Sequence, residues 1–121
     1  MLTSADQKFL AEYDFHSFDR PSVAVDAVIL TLRQNQLHAL LTSREDLPYK
    51  NLLALPGGFV KMSESLEDAM ARVLKQKLNL QNLPLEQLQA FGRPDRDPRG
   101  RIISIAFMAL VPESQDPRFL P

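Results

Sequence analysis

The stretch "LPGGFVKMSESLEDAMARVLKQKLNL", Leu55–Leu80, decides the fold because it runs from a paired-glycine turn into an amphipathic helix. Ser63 and Ser65 both offer side-chain oxygens that can cap the start of the helix. The apolar residues form a broad stripe that suits packing on a sheet: Leu66, Ala69, Met70, Val73, Leu74 and Leu78. "NLQNLP", residues 79–84, predicts the end of the helix. A glycine turn before a helix is also a common binding site for a phosphorylated ligand.

Strand patterns flank this helix on both sides. "RPSVAVDAVILTLR", Arg20–Arg33, predicts a long central strand, and "LHALLTSR", Leu37–Arg44, predicts its hairpin partner after a turn at residues 34–36. "LLAL" predicts a short strand, "PGG" a turn, and "LEQLQAFG" and "IISIAFMALV" two later strands. Residues 3–13 predict a short helix capped by Thr3 or Ser4. This order favours an α/β fold with a mixed β-sheet covered by helix, and not a Rossmann unit.

Asp26 is an acid inside the long, otherwise apolar strand. A carboxylate in such a place needs hydrogen-bonding partners, because burying it without them is costly. Two roles fit the sequence: an internal hydrogen bond that serves the fold, or a contact with a ligand.

Composition narrows the function classes. The chain has 121 residues, 45% of them hydrophobic and 24% charged, with a formal net charge of −1 and no cysteine. These values predict a single globular domain without a membrane span, and they exclude disulfides, thiol catalysis and cysteine-ligated zinc. The near-neutral charge gives no general attraction to nucleic acid. "MLTSADQKFL" lacks the apolar core of a signal peptide, so a cytoplasmic location is the default expectation.

The spacing of several residues resembles the Nudix family signature, in which a glycine, a glutamate and an Arg-Glu-aliphatic-x-Glu-Glu helix follow at fixed intervals. Gly58, Glu64, Arg72, Leu74 and Leu80 fall into that register. The resemblance implies a Nudix-like α/β/α sandwich with a mixed β-sheet over residues 21–121, incomplete at its C-terminus. Residues 1–20 are then an N-terminal segment that carries the short predicted helix.

The catalytic part of that signature is not present. Nudix hydrolysis requires glutamates at the first, fourth and fifth positions after the arginine, where they hold divalent cations against a pyrophosphate. This chain has Val73, Gln76 and Lys77 at those positions. We therefore predict no catalytic residues, no metal ligands and no requirement for magnesium. Glu64 is expected to form an ion pair or a cap at the helix start, about two turns from Arg72.

Two other stretches, "RPSVAVDAV" and "FGRPDRDPRGR", resemble two groups: the Nudix-related transcriptional regulators of NAD metabolism, the NrtR type, and ADP-ribose pyrophosphatases fused to other domains. The regulators fit better. That resemblance implies a domain that senses ADP-ribose or a related NAD metabolite without cleaving it, within a homodimeric repressor. In those regulators a C-terminal winged helix-turn-helix domain binds DNA. We expect no such domain within these residues, and therefore DNA contact only through a part outside them.

The predicted ligand-binding residues are Arg20, Arg44, Gly57, Gly58, Lys77, Phe91, Arg93, Arg96 and Arg99. The arginines at positions 44, 93, 96 and 99 suit bidentate contact with phosphate, while Arg20 and Phe91 suit the ribose or adenine end. Lys77 is expected to supply the positive charge that a metal would supply in a hydrolase. Other roles fit as well: arginines paired with Asp95 and Asp97 on a solvated surface, Lys77 as a surface lysine, and Phe91 in the core.

Three function classes therefore follow from the sequence. The first is an effector-sensing domain that binds ADP-ribose without turnover. The second is a magnesium-dependent Nudix pyrophosphatase that acts on ADP-ribose with unusual ligands. The third is a scaffold with an inactive site that binds no nucleotide.

Overall fold

A long strand, β1 (Ser22–Arg33), lies at the centre of a five-stranded mixed sheet in the computed structural model, which describes residues 1–112. Its parallel neighbour on one edge is β7 (Ile102–Leu110). Its other edge pairs antiparallel with β2 (Gln36–Ala39) and with β5 (Gly57–Phe59). The outer strand β6 (Glu86–Phe91) pairs antiparallel with β7. The predicted α/β class and mixed sheet are confirmed.

The hairpin that joins β1 to β2 matches the predicted turn. Gln34 and Asn35 have φ values of 52° and 62°, the left-handed backbone that two-residue hairpin turns require. The predicted second strand is shorter than expected, however. β2 ends at Ala39, and β3 (Thr42–Ser43) leaves the main sheet to pair with β4 (Leu53–Ala54). The strand divides because the backbone of Arg44 bonds to that of Leu52 instead of to β1.

The helix α2 (Leu66–Leu78) begins and ends as its sequence predicts. Ser65 is the N-cap, and its hydroxyl accepts a hydrogen bond of 3.0 Å from the N–H of Asp68. Asn79 ends the helix in the left-handed conformation with φ 53°, and its N–H donates to the carbonyl of Lys75. Four apolar residues of this helix are buried in the core against the sheet: Ala69, Met70, Val73 and Leu74.

The core lies between α2 and one face of the sheet. Val25, Ala27 and Ile29 alternate along β1 on that face, and Phe107 and Ala109 continue it on β7. Full burial of each large apolar side chain contributes about 1.5 to 3 kcal/mol to the free energy of folding. This packing fixes the position of α2 relative to the central strands, and with it the region where the helix meets β5.

The "PGG" segment forms a strand, contrary to the predicted turn. Gly57 and Gly58 belong to β5, opposite Asp26 and Val25 of β1. A side chain is excluded at Gly57, because a Cβ there would lie 2.1 Å from Oδ1 of Asp26 and 2.7 Å from the carbonyl oxygen of Val25. The glycines therefore let two strands approach closely, and they do not open directly into the helix.

The N-terminal helix α1 (Ser4–Glu12) lies within the predicted range and begins at Thr3, which forms a capping box with Asp6. It buries no side chain, and a single 3₁₀ turn, Phe15–Ser17, follows it. No helix within residues 1–112 is long and apolar enough to cross a membrane. The proline-rich end of the sequence, residues 113–121, lies outside the described residues, as does the predicted C-terminal incompleteness of the fold.

Candidate functional site

A cavity of about 760 Å³ opens where β5, the last turn of α2 and the loop before β7 meet. It brings together six of the residues predicted to bind a ligand: Arg44, Gly57, Gly58, Lys77, Arg96 and Arg99. Its walls also carry four acids: Asp26, Glu45, Asp46 and Asp97. Because cations and carboxylates alternate around one space, the cavity suits a ligand that has both anionic groups and hydrogen-bond donors.

Lys77 reaches from α2 to the first glycine of β5, where its ammonium donates a hydrogen bond to the carbonyl of Gly57. The sequence left open that Lys77 is an ordinary surface lysine. Although the residue is exposed, this contact holds its charge at the cavity wall. An ammonium group has three donors, so the bond to Gly57 leaves the group able to donate to an anion in the cavity.

The loop between β6 and β7 contributes a fixed arginine pair. Arg99 donates two hydrogen bonds to Asp97, from Nε to Oδ1 at 3.1 Å and from Nη2 to Oδ2 at 2.9 Å. The guanidinium carbon of Arg99 lies 4.9 Å from the ring centre of Phe59. The side-chain bonds from Arg99 lower the pKa of Asp97 from 3.8 to about 2. Arg96 donates 3.2 Å to the carbonyl of Ile102. Both guanidinium groups are therefore oriented by partners within the protein.

Arg44 lines the same cavity from the end of β3. Its Nε donates to the carbonyl of Pro48 at 2.7 Å, and its backbone N–H donates to Leu52 at 2.9 Å. The half-buried side chain is thus directed by the loop that follows it. This placement agrees with the phosphate-binding position predicted for it, which stays a prediction.

Three predicted residues do not line this cavity. Arg20 donates to the carbonyl of Phe18 at 2.9 Å and lies over the ring of Phe15 at 3.8 Å, both within the N-terminal segment. Phe91 is at the end of the outer strand β6 and is 44% exposed. Arg93 pairs with Asp95 in solvent at 3.5 Å. These three residues do not line the cavity that the other six predicted residues line, so their contacts with a ligand stay predictions.

The helix start is tied to β5 through Glu64 and Arg72. Glu64 accepts from Arg72 Nε at 2.5 Å and Nη2 at 2.9 Å, and it also accepts from the backbone N–H of Lys61. Arg72 Nη2 donates in addition to the carbonyl of Phe59 at 2.9 Å. The bonds from Arg72 lower the pKa of Glu64 from 4.5 to about 2. The predicted ion pair is present.

The predicted separation of two helical turns between those residues is wrong. Glu64 precedes the N-cap and folds back along the helix, so its carboxylate meets Arg72 directly. Sequence spacing on an ideal helix does not apply to a residue outside the helix.

The helix face that would carry metal ligands in a Nudix hydrolase has other partners here. Val73 is buried, with Cγ2 3.0 Å from where a Cβ on Gly58 would lie. Gln76 Oε1 accepts from Arg72 Nη1 at 3.4 Å, and Lys77 bonds to Gly57. Across the described residues, no three His, Cys, Asp or Glu side chains form a group that could hold a metal ion. An alkyl group, an amide and an ammonium do not suit Mg²⁺, which prefers carboxylate oxygens.

Two known proteins are similar to this chain in sequence. The ADPR responsive transcriptional repressor NtrR of Acinetobacter baylyi is 37% identical over 111 residues, covering 89% of this chain and 44% of that protein. The ADP-ribose pyrophosphatase of Methanocaldococcus jannaschii is 42% identical over 88 residues, covering 73% of this chain and 50% of that protein. This chain therefore spans half or less of the length of these two relatives.

A solved structure extends the similarity to the fold. The NUDIX domain of Shewanella oneidensis NrtR, crystallised with ADP ribose, superimposes with a TM-score of 0.81 and 36% identity, covering 92% of this chain and 72% of that one. The family model of the NUDIX domain matches residues 20–119. The resemblance predicted from the spacing of Gly58, Glu64 and Arg72 is confirmed, and the chain belongs to the Nudix family.

Proposed function

We propose that this domain binds ADP-ribose or a closely related NAD metabolite without hydrolysing it, as the effector-sensing part of a homodimeric transcriptional repressor of NAD biosynthesis. The observation that carries the proposal is the helix face at Val73, Gln76 and Lys77. Gln76 and Lys77 line the nucleotide-sized cavity, Val73 is buried, and none of the three offers a carboxylate to hold a metal. Without a metal held on this helix face, the domain lacks the usual Nudix means of activating water against a pyrophosphate.

Lys77 takes over part of the metal's electrostatic role. A diphosphate in the cavity would meet Lys77 on one wall and Arg44, Arg96 and Arg99 on the others. Backbone carbonyls accept hydrogen bonds from Lys77, Arg44 and Arg96 and so fix their charged groups. Asp97 fixes the charged group of Arg99 in the same way. Preorganised donors of this kind bind phosphate well, because little side-chain entropy remains to be lost on binding.

The relatives support the sensing role. One is a repressor that responds to ADPR, and another is an NrtR NUDIX domain solved with ADP ribose. A structure of Shewanella oneidensis NrtR with a 27mer DNA shows that such a regulator binds DNA. We assign DNA contact in this system to a domain outside the residues described.

Calorimetric titration with ADP-ribose tests the proposal, once in EDTA and once in excess Mg²⁺, with product analysis by chromatography after the second titration. We expect binding of equal affinity in both buffers and no release of AMP. Release of AMP only in Mg²⁺ would instead support the pyrophosphatase. No heat of binding in either buffer would support the inactive scaffold.

Charge reversal at Lys77 tests its part directly. Lys77→Glu should weaken ADP-ribose binding in EDTA by at least about tenfold, because a cation beside a phosphate becomes an anion. The matched control is Lys75→Glu, which reverses the same charge on the same helix outside this cavity. Equal loss in both variants, or no loss in Lys77→Glu, would remove Lys77 from the site.

The magnesium-dependent pyrophosphatase remains the second candidate. It is favoured by the 42% identity to an ADP-ribose pyrophosphatase and by Glu45 and Asp46, two carboxylates on the cavity wall outside α2. If these acids held a metal, neutralising both as Glu45→Gln and Asp46→Asn would abolish Mg²⁺-dependent AMP release. In the sensor they should leave ADP-ribose affinity equal or higher, since two negative charges near a diphosphate are removed.

A further inference from the structure

Asp26 has a carboxylate of which only one oxygen is used by the fold. Oδ2 accepts a hydrogen bond from the hydroxyl of Ser104 on the neighbouring strand β7, and Ser104 is buried. Oδ1 lies against Gly57, at 2.1 Å from the position of a Cβ on that residue. The internal hydrogen bond that the sequence allowed for Asp26 therefore uses only Oδ2.

Among the described residues, the other oxygen, Oδ1, accepts no hydrogen bond. Asp26 is half-buried and lines the same space as Lys77 and the arginines. A carboxylate in a partly buried site is costly unless its lone pairs accept hydrogen bonds, and a carboxylate has about four such positions. The pKa of Arg99 is raised mainly by its hydrogen bond to Asp97, and the charge of Asp26 adds to that rise. Oδ1 is thus a charged acceptor of a cavity-lining residue whose carboxylate is held by Ser104 through Oδ2.

Gly57 contacts both Asp26 and Lys77. Its Cα side touches Asp26, and its carbonyl accepts from Lys77. A ligand that placed a diphosphate at Lys77 would therefore bring the group next to the diphosphate towards Asp26. In ADP-ribose the neighbouring group on either side of the diphosphate is a ribose, whose hydroxyls are donors, whereas a phosphate at Asp26 would be repelled.

We propose that Asp26 determines specificity for a ribose attached to the diphosphate, by accepting a hydrogen bond from a ribose hydroxyl at Oδ1 while Ser104 holds Oδ2. This inference rests on the proposed function and deepens it. Ser104 is a positioning residue: it does not contact the ligand, and it fixes the rotamer of the carboxylate. The cavity then has a cationic end for the diphosphate and one anionic acceptor for the ribose.

Asp26→Asn tests the inference, with ADP-ribose and inorganic pyrophosphate as separate titrants in EDTA. Asn has the same shape and keeps an acceptor for Ser104, so only the charge and one acceptor are changed. We expect about tenfold weaker binding of ADP-ribose, the usual loss for one hydrogen bond to a charged group, and equal or tighter binding of pyrophosphate. The matched control Asp95→Asn removes an exposed acid outside the cavity and should change neither affinity.

Several results would overturn the inference. Unchanged ADP-ribose affinity in Asp26→Asn would leave the residue with its internal role alone, and equal loss for both titrants would show a general effect on the site. An effect of Asp95→Asn as large as that of Asp26→Asn would show that net charge is responsible. If Asp26→Asn does not fold, Ser104→Ala replaces it: a larger loss for ADP-ribose than for pyrophosphate supports the inference, and an equal loss refutes it. No binding by the wild type would refute the proposed function itself.

Discussion

Gly57→Ala is the substitution for which the structure gives the sharpest expectation. A Cβ at this position would lie 2.1 Å from Oδ1 of Asp26 and 2.7 Å from the carbonyl oxygen of Val25. Side-chain carbons essentially never approach closer than 3.0 Å, so the carboxylate must retreat by at least 3.0 − 2.1 = 0.9 Å and the paired strands must separate slightly. Both contacts belong to the pairing of β1 with β5.

The expected cost follows from these overlaps. Forcing a methyl group into a packed region costs about 1 to 3 kcal/mol, and the loss of unfolded-state entropy on replacing Gly by Ala returns about 0.4 to 1 kcal/mol. We expect a net loss of about 1.3 kcal/mol in the free energy of unfolding. For a domain of this size that corresponds to a melting temperature lower by roughly 5 °C.

The same chain provides two reference positions. Gly92→Ala should be within about 0.5 kcal/mol of the wild type, since a Cβ there meets nothing within 4 Å. Gly58→Ala should fall between them, because a Cβ there would meet only one atom, Cγ2 of the buried Val73, at 3.0 Å. Thermal unfolding followed by circular dichroism, with urea titration at 25 °C, ranks the three variants.

Two results would refute the reasoning. One is a Gly57→Ala variant as stable as Gly92→Ala, which would mean that the approach of the strands is looser than described. The other is complete rescue by adding Asp26→Ala, because the overlap with the carbonyl of Val25 remains after the carboxylate is removed. Partial rescue is the expected outcome of the double variant.

Three further outcomes follow from the site and the helix ends. The pKa of Glu64 is lowered to about 2, so its ion pair stabilises the fold above pH 4.5 and is lost as the pH falls towards 2. Urea midpoints of Glu64→Gln should therefore fall less than those of the wild type as the pH is lowered from 4.5 to 2, with Asp97 supplying a remaining decrease because its pKa is also about 2, whereas Glu86→Gln should keep the full decrease. Asn79→Gly should raise stability by up to about 1 kcal/mol in thermal unfolding, because glycine adopts φ 53° without strain; a lower melting temperature would contradict this. Arg99→Lys should weaken ADP-ribose binding in calorimetry, because lysine cannot form both hydrogen bonds to Asp97 that orient the arginine. Arg93→Lys, outside the cavity, should not weaken binding, and equal effects of the two substitutions would contradict the assignment of Arg99 to the site.

Much of the fold could be predicted because local signals decide it. The caps at Ser65 and Asn79 are side-chain and backbone preferences that act within a few residues, and the apolar runs of β1 and β7 mark central strands by themselves. The "PGG" segment shows where such signals fail. Glycine pairs usually mark turns, but here the absence of a side chain serves contact with a strand about thirty residues earlier.

The site was predicted in part for the same reason. Lys77 and the glycines were found from the register of the Nudix signature, which fixes them relative to α2. Their mutual bond could not be foreseen, since it depends on where β5 lies against the helix. Arg93 and Arg99 are equivalent in sequence, each beside an aspartate, and only the path of the loop places one in the cavity and the other in solvent. The role of Asp26 likewise depends on Ser104, which is 78 positions away.

The parallel pairing of β1 with β7 has a consequence for how the domain is made. Ribosomes add about 5 to 20 residues each second, so β1 waits several seconds after its own synthesis before its partner exists. Pairings between such distant segments also form slowly, because a long loop must close first. Ser104 reaches Asp26 only in that final pairing. An effector that binds beside them would therefore stabilise the folded domain and would not stabilise a nascent chain. The effector concentration in the cell would then change the lifetime of the folded protein and leave its rate of production unchanged.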